Sequence, residues 1–139
     1  MGEKTIVEVE WLSNGSYEAR DPEGHRTLIQ TGQRTALSPS QLFLASLAAC
    51  SMVDVVTIIG KKRKKLGALR ARVEGERVEG FPTRYRKITV TYFIEGSDVT
   101  KEDSISAIEL SQNKYCSVSL TVKNGAEVEW KLEDKVEQK

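Results

Sequence analysis

The segment Leu42–Ile59 constrains this chain more than any other. Between those residues only Ser46, Ser51, Asp54 and Thr57 are clearly polar. A helix that is apolar nearly all round must be covered on most of its faces. Its start is marked by Ser38-Pro39-Ser40-Gln41, which combines a Ser N-cap, a Pro at the first helical position and a Gln three residues after the cap. Its end is marked by Gly60 and the run Lys61–Lys65, since cations suit a helix C-terminus. The segment sits at the lower limit of a membrane span. Asp54 argues against that use, because an Asp at a membrane-helix centre costs about 2.5–3.5 kcal/mol. In a chain of 139 residues, one sheet of short strands covers only one side of such a helix. The other side is expected to pack against a second copy, as an obligate homodimer.

The flanks of this helix have the period of strands. Val7, Val9 and Trp11 alternate with Glu8 and Glu10, Asn14-Gly15 marks a tight turn, and Ser16–Arg20 can pair back. Asp21-Pro22-Glu23-Gly24 is a second turn, followed by a strand over His25–Thr31. Residues 1–36 therefore read as a β-meander and 38–65 as the central helix. Beyond it, Leu69, Ala71 and Val73 alternate with charged residues, as do Ile88, Val90, Tyr92 and Ile94 with polar ones. Thr100 can cap a second helix through Asp103, with Ile105, Ile108 and Leu110 as its stripe. A short segment Tyr115–Lys123 follows, and Ala126, Val128, Trp130 and Leu132 alternate with Glu127, Glu129 and Lys131 as a last strand. Residues 69–132 thus read as β-β-α-β, and the whole chain, 1–139, as one α+β domain with antiparallel sheet.

Composition removes several function classes. Lys plus Arg is 21 and Asp plus Glu is 20, a net charge of +1, so no global field draws the chain to nucleic acid or an anionic membrane. The run Lys61–Lys65 has no interleaved aromatic residues and reads as a solvated helix end. Two cysteines and one histidine cannot fill a four-ligand zinc site, and no metal is expected. The N-terminus, MGEKTIVEVEW, lacks the apolar stretch of a secretory signal, so a cytoplasmic location is expected. There a cysteine pair is more often catalytic or redox-active than a structural bridge.

The two thiols stand at different kinds of position. Cys50 lies mid-helix, with Ser46, Asp54 and Thr57 at helical spacing on the same face. Cys116 follows Lys114-Tyr115, where the second helix breaks. A thiol at the N-terminus of a new helical turn has its thiolate favoured by free N–H groups. Either could equally be a small buried core residue. His25 sits beside a turn as a surface residue, so a Cys/His hydrolase arrangement has no support.

Ser38-Pro39-Ser40-Gln41-Leu42-Phe43-Leu44-Ala45-Ser46-Leu47-Ala48-Ala49-Cys50 resembles the central-helix motif of the OsmC/Ohr family, the osmotically inducible and organic-hydroperoxide-resistance proteins. Asp54-Val55-Val56 with the basic run is similar to its YhfA-like branch, and Asn113-Lys114-Tyr115-Cys116-Ser117-Val118 resembles its second cysteine motif. The resemblance implies an intertwined homodimer in which antiparallel sheets wrap a long central helix from each chain, with sites shared between subunits. It implies thiol-dependent reduction of organic hydroperoxides, and less well of hydrogen peroxide, without metal, flavin or haem. Cys50 would then be the peroxidatic thiol and Cys116 the resolving one, with an external dithiol of lipoyl or thioredoxin type as reductant. The family's hydroperoxide-reducing branches carry a Glu ten residues before the first cysteine, and here that position is Ser40. They also bring an Arg to the thiolate. Arg34, just before the helix, is the candidate, with Arg20 as the alternative. Phe43, Leu47 and Met52 are expected to line the pocket for the organic tail. The alternative function is a redox-sensing or small-ligand-binding module on the same fold.

Overall fold

The signals that begin and end the central helix act as their chemistry requires. In the computed structural model, which describes residues 2–133, helix α1 spans Pro39–Lys61. Ser38 accepts from the Gln41 N–H at 3.3 Å, and the Gln41 side chain accepts from the Ser38 N–H at 3.1 Å. The chain leaves the helix through Arg63, at a φ of 61°.

Two antiparallel sheets flank α1. Strands β1 (Glu8–Ser13), β2 (Ser16–Arg20) and β3 (Arg26–Gln30) form a meander in sequence order. Its first turn needs Gly15, whose φ is +70° and whose site would bring a Cβ to 2.8 Å from the Thr31 carbonyl oxygen. Strands β4 (Ala68–Arg77) and β5 (Tyr85–Glu95) form the second sheet. Its register sets Leu69 opposite Ile94, Ala71 opposite Tyr92 and Val73 opposite Val90, so one face of the pair is apolar. That face meets α1: Val55, Ile59 and Ala107 form a fully buried cluster, with Leu69, Tyr92, Ile94 and Ile108 packed on it.

Helix α2 (Lys101–Leu110) starts with the expected cap. Thr100 and Asp103 exchange bonds of 3.0 Å, and Asp103 also holds Lys64 at 3.0 Å and Lys62 at 3.6 Å. Part of the basic run is therefore tied down by an acid of α2. The Thr100 N–H first, then Lys64, hold the Asp103 carboxyl below the usual carboxylate range. The second helix does not run to Lys114: after Leu110 it widens into a five-residue π turn, Ser111–Tyr115, and α3 (Ser117–Asn124) begins behind it.

One expectation needs correction. Residues Ala126, Val128, Trp130 and Leu132 belong to no strand, and Val128, Trp130 and Leu132 are 92%, 86% and 83% exposed. An isolated strand needs a partner edge, and among the described residues neither sheet pairs with it. Among the described residues α1 is covered on one side, in line with the expectation that one chain's sheet covers only one side of it. Leu47, Ala48, Ser51, Val55 and Ile59 form one buried stripe, while Val53 and Val56 stay exposed. The helix is long and apolar enough to cross a bilayer by length and composition, yet its buried stripe packs into the chain's own core.

Candidate active site

The π turn decides the geometry. Closing Cys116 N–H onto the Ser111 carbonyl at 2.7 Å turns Ser111, Gln112 and Cys116 inward together. Cys116 becomes the N-cap of α3, and its Sγ accepts from the Ser119 N–H at 3.4 Å. It is fully buried, against the Leu47 carbonyl of α1 at 4.0 Å.

Cys50 approaches the same helix end from α1, with its Sγ 3.9 Å from the Ser117 hydroxyl. Burial pushes the Cys50 thiol up. The Val118 N–H, the Cys116 thiol and the Ser117 hydroxyl and N–H pull it down by more, and the net direction is downward. Burial likewise pushes Cys116 up. The Ser119 N–H opposes this, but Cys50 and the Asp54 charge add to the rise. The first turn of α3 thus favours the thiolate of Cys50, which belongs to another helix, over that of Cys116, its own cap.

A buried polar chain sits behind the thiols. Ser119 Oγ is 2.5 Å from Gln112 Oε1, Gln112 Nε2 is 2.7 Å from Tyr92 OH, Tyr92 OH is 2.5 Å from Ser51 Oγ, and Ser51 Oγ is 2.8 Å from Ser111 Oγ. Ser111 Oγ donates to Asp54 Oδ2 at 2.9 Å. Each hydroxyl has one proton and the terminal carboxylate only accepts. One direction then satisfies every link: Ser119 donates to Gln112, Gln112 to Tyr92, Tyr92 to Ser51, Ser51 to Ser111 and Ser111 to Asp54. This chain ties α3 to α1 and β5, and so holds the N–H groups of α3 on Cys50. Sequence reasoning found Asp54 on the Cys50 face but missed Ser51, Tyr92, Ser111, Gln112 and Ser119. Their available signal was polarity at positions where the apolar stripes of α1, β5 and α2 pass.

The other expected site residues do not converge within the chain. Arg34 donates to Gln41 Oε1, at the start of α1, nine residues from Cys50. Arg20 sits among Glu10 at 3.0 Å, Glu18 at 3.5 Å and Glu8 at 3.9 Å. Neither bonds Cys50. Ser40 accepts from Arg77 at 3.4 Å, an arginine the sequence reading did not weigh. Phe43 stacks on Tyr85, with centroids 6.2 Å apart. Leu47 lines a cavity against β5, whereas Met52 lines a groove against Ala71 and Val73 of β4. At 3.6 residues per turn, the five-residue step from Leu47 to Met52 sets them about 140° apart round the helix. A single pocket lined by all three is therefore not formed in this chain.

Asp21, Glu23 and His25 bring ligand atoms within 4.8 Å of one another on an exposed turn. Asp21 already caps that turn through the Glu23 and His25 N–H groups and holds His25 Nδ1 at 2.7 Å.

With this geometry in place, the comparisons are decisive for the family. The family model described as OsmC-like protein matches residues 31–131, which carry both thiols. The chain belongs to the OsmC-like family. Protein YhfA of Escherichia coli is 28% identical over 122 residues, covering 86% of this chain and 90% of that protein. The crystal structure of a hypothetical protein from Aquifex aeolicus is similar at a TM-score of 0.77 and 29% identity, over 94% of this chain and 100% of that one. The organic hydroperoxide resistance protein OhrB of Bacillus subtilis shares the fold at a TM-score of 0.59 and 16% identity, over 86% of this chain and 92% of its own. The α+β architecture with antiparallel sheets is that of this OsmC-like family.

Proposed function

We propose that this OsmC-like chain is a thiol-dependent peroxidase for organic hydroperoxides, working as a homodimer. The observation that carries the reading is the Cys50 thiol at the N-terminus of α3, beside Cys116 and shifted toward the thiolate. The Cys50 thiolate attacks the terminal peroxide oxygen. The O–O bond breaks, an S–O bond forms, and the alkoxide leaves and takes a proton as the alcohol. The Cys116 thiol then attacks the sulfenic sulfur, releasing water and leaving a Cys50–Cys116 disulfide. An external dithiol restores both thiols by exchange. The upward shift of the Cys116 pKa suits a resolving thiol that stays protonated while Cys50 is ionised.

Two uncovered regions support the homodimer. The segment with Val128, Trp130 and Leu132 is exposed, as are Val7, Val9 and Trp11 beside and in β1. Both alternate apolar residues with Glu, the pattern of half-buried strands. A second copy would cover them, and could bring Arg34, or alternatively Arg20, to Cys50 across the interface. Sedimentation of a compact monomer would remove this part of the reading. Slower turnover in Arg34→Ala than in Arg20→Ala would assign the cation to Arg34.

The direct test mixes reduced protein with an aryl hydroperoxide and follows peroxide loss and thiol count together. Loss of one peroxide per two thiols, with an intramolecular disulfide, is expected. One observation favours the alternative, a redox-sensing or ligand-binding module: among the described residues, no arginine or lysine bonds Cys50. Under that reading no catalytic peroxide loss occurs.

A further inference from the structure

A cavity of about 550 Å³ opens between the first half of β5, the π turn and α3, within the usual size range of ligand sites. The alternation of β5 turns Ile88 and Val90 inward, and with Ile108 and Val122 they make an apolar floor. The charged lining is of one sign: Arg84, Arg86, Lys87 and Lys123 line it, and among the described residues no Asp or Glu does. Arg86 is held by Glu76 at 2.7 Å and Lys123 by the Gln112 carbonyl at 2.9 Å. Among the described residues, the Arg84 and Lys87 side chains have no carboxylate partner. Cations of one sign beside low-dielectric walls focus a positive field into the space between them.

We propose that this cavity binds a single-chain amphiphilic anion, its acyl or alkyl body on the β5 floor and its head on Arg84 and Lys87. The apolar floor selects a hydrocarbon body because burying it removes apolar surface from water. The unpartnered cations select the charge of the head, because a guanidinium and an ammonium without a counter-ion gain most from an oxyanion. Neither thiol lines the cavity. Tyr92, Gln112 and Ser119 of the polar chain behind the thiols do line it, so the site adjoins the peroxide centre proposed for Cys50 without containing it, and its occupant need not be a peroxide.

The test is equilibrium binding to the intact, reduced protein by calorimetry, with decanoate, decyl phosphate, decanol and decyltrimethylammonium as probes. Decanoate and decyl phosphate are expected to bind, decanol about tenfold or more weakly, and the cation not measurably. The ratio of the two anions tells a carboxylate site from a phosphate site. Arg84 and Lys87 are exposed, so the double variant Arg84→Glu/Lys87→Glu should fold normally by circular dichroism and lose anion binding about tenfold or more. Cys50→Ser should bind decanoate like the parent, whatever its effect on peroxide. Equal binding of decanol and decanoate, or unchanged affinity in the folded double variant, would overturn the proposal. So would the absence of any anion binding to the intact protein, as when a second copy fills the groove.

Discussion

Cys50 and Cys116 lie side by side, yet their surroundings push them in opposite directions. Cys50 belongs to the middle of α1, where a helix offers a side chain no free N–H groups. Cys116 caps α3 and would, on local grounds alone, be the more acidic thiol. The structure reverses this. The Cys116 thiol meets one N–H, that of Ser119, and is fully buried. Cys50 faces the first N–H groups of α3 from outside and is only half-buried. A thiol's acidity follows where helix N–H groups point in space, not which helix carries the residue.

The largest effect that tests this contrast comes from removing each thiol. Cys50→Ser should lower peroxide consumption by roughly three orders of magnitude or more, since a serine hydroxyl is hardly ionised near neutral pH. Cys116→Ser should consume one equivalent of peroxide in a burst that gives the Cys50 sulfenic acid, then further equivalents slowly as Cys50 is over-oxidised, as mass spectrometry would show. Equal, parent-like rates in both variants would mean that both thiols are merely core residues.

Next in size is the link that holds α3. Gln112→Leu removes the donor to Tyr92 and the acceptor for Ser119. It should cost about 2–3 kcal/mol in denaturant unfolding, from buried hydroxyls left unpaired. It should also slow alkylation of Cys50 near neutral pH, which a purely structural role would not. Gln112→Glu keeps the acceptor and should restore part of the stability.

The pH profile of alkylation gives a smaller but more direct comparison. Only the thiolate reacts, so a lowered pKa moves the half-reactive pH down and a raised one moves it up. Cys50 in Cys116→Ser should be half-reactive below the ordinary thiol value of about 8.5, and Cys116 in Cys50→Ser above it. The reverse order would return the role of acidic thiol to Cys116. The smallest effect is expected from Tyr92→Phe, about 1 kcal/mol of stability and a slight loss of Cys50 reactivity, because Gln112 still reaches Ser51 at 3.3 Å.

Much of the fold was legible because its signals are local. The capping boxes at Ser38 and Thr100 need only a residue and its neighbour three places on, and both are present. Asn14-Gly15 and the alternation in β4 and β5 placed the hairpins within a residue or two at most starts and several at some ends. The last strand was not legible as an unpaired segment. Alternation at Val128, Trp130 and Leu132 reports which side chains want cover, not which edge supplies it. Around the site, both thiols and Asp54 could be read from spacing on the resemblance and the helix face. The chain from Ser119 to Asp54 could not, because its members lie on α1, β5, the π turn and α3.

By itself, then, the sequence determined where helices and hairpins begin, that α1 is too apolar for one sheet to cover, and which residues could ionise as thiols. These follow from interactions within a few residues, whose geometry the backbone period dictates. Only the tertiary structure decided which thiol receives the N–H groups of α3, and that Leu47 faces β5 while Met52 faces β4. The first of these depends on one π turn after Leu110, which redirects the chain so that elements distant in sequence meet. Such meetings are set by packing and by the need to pair buried polar groups, which no local pattern encodes.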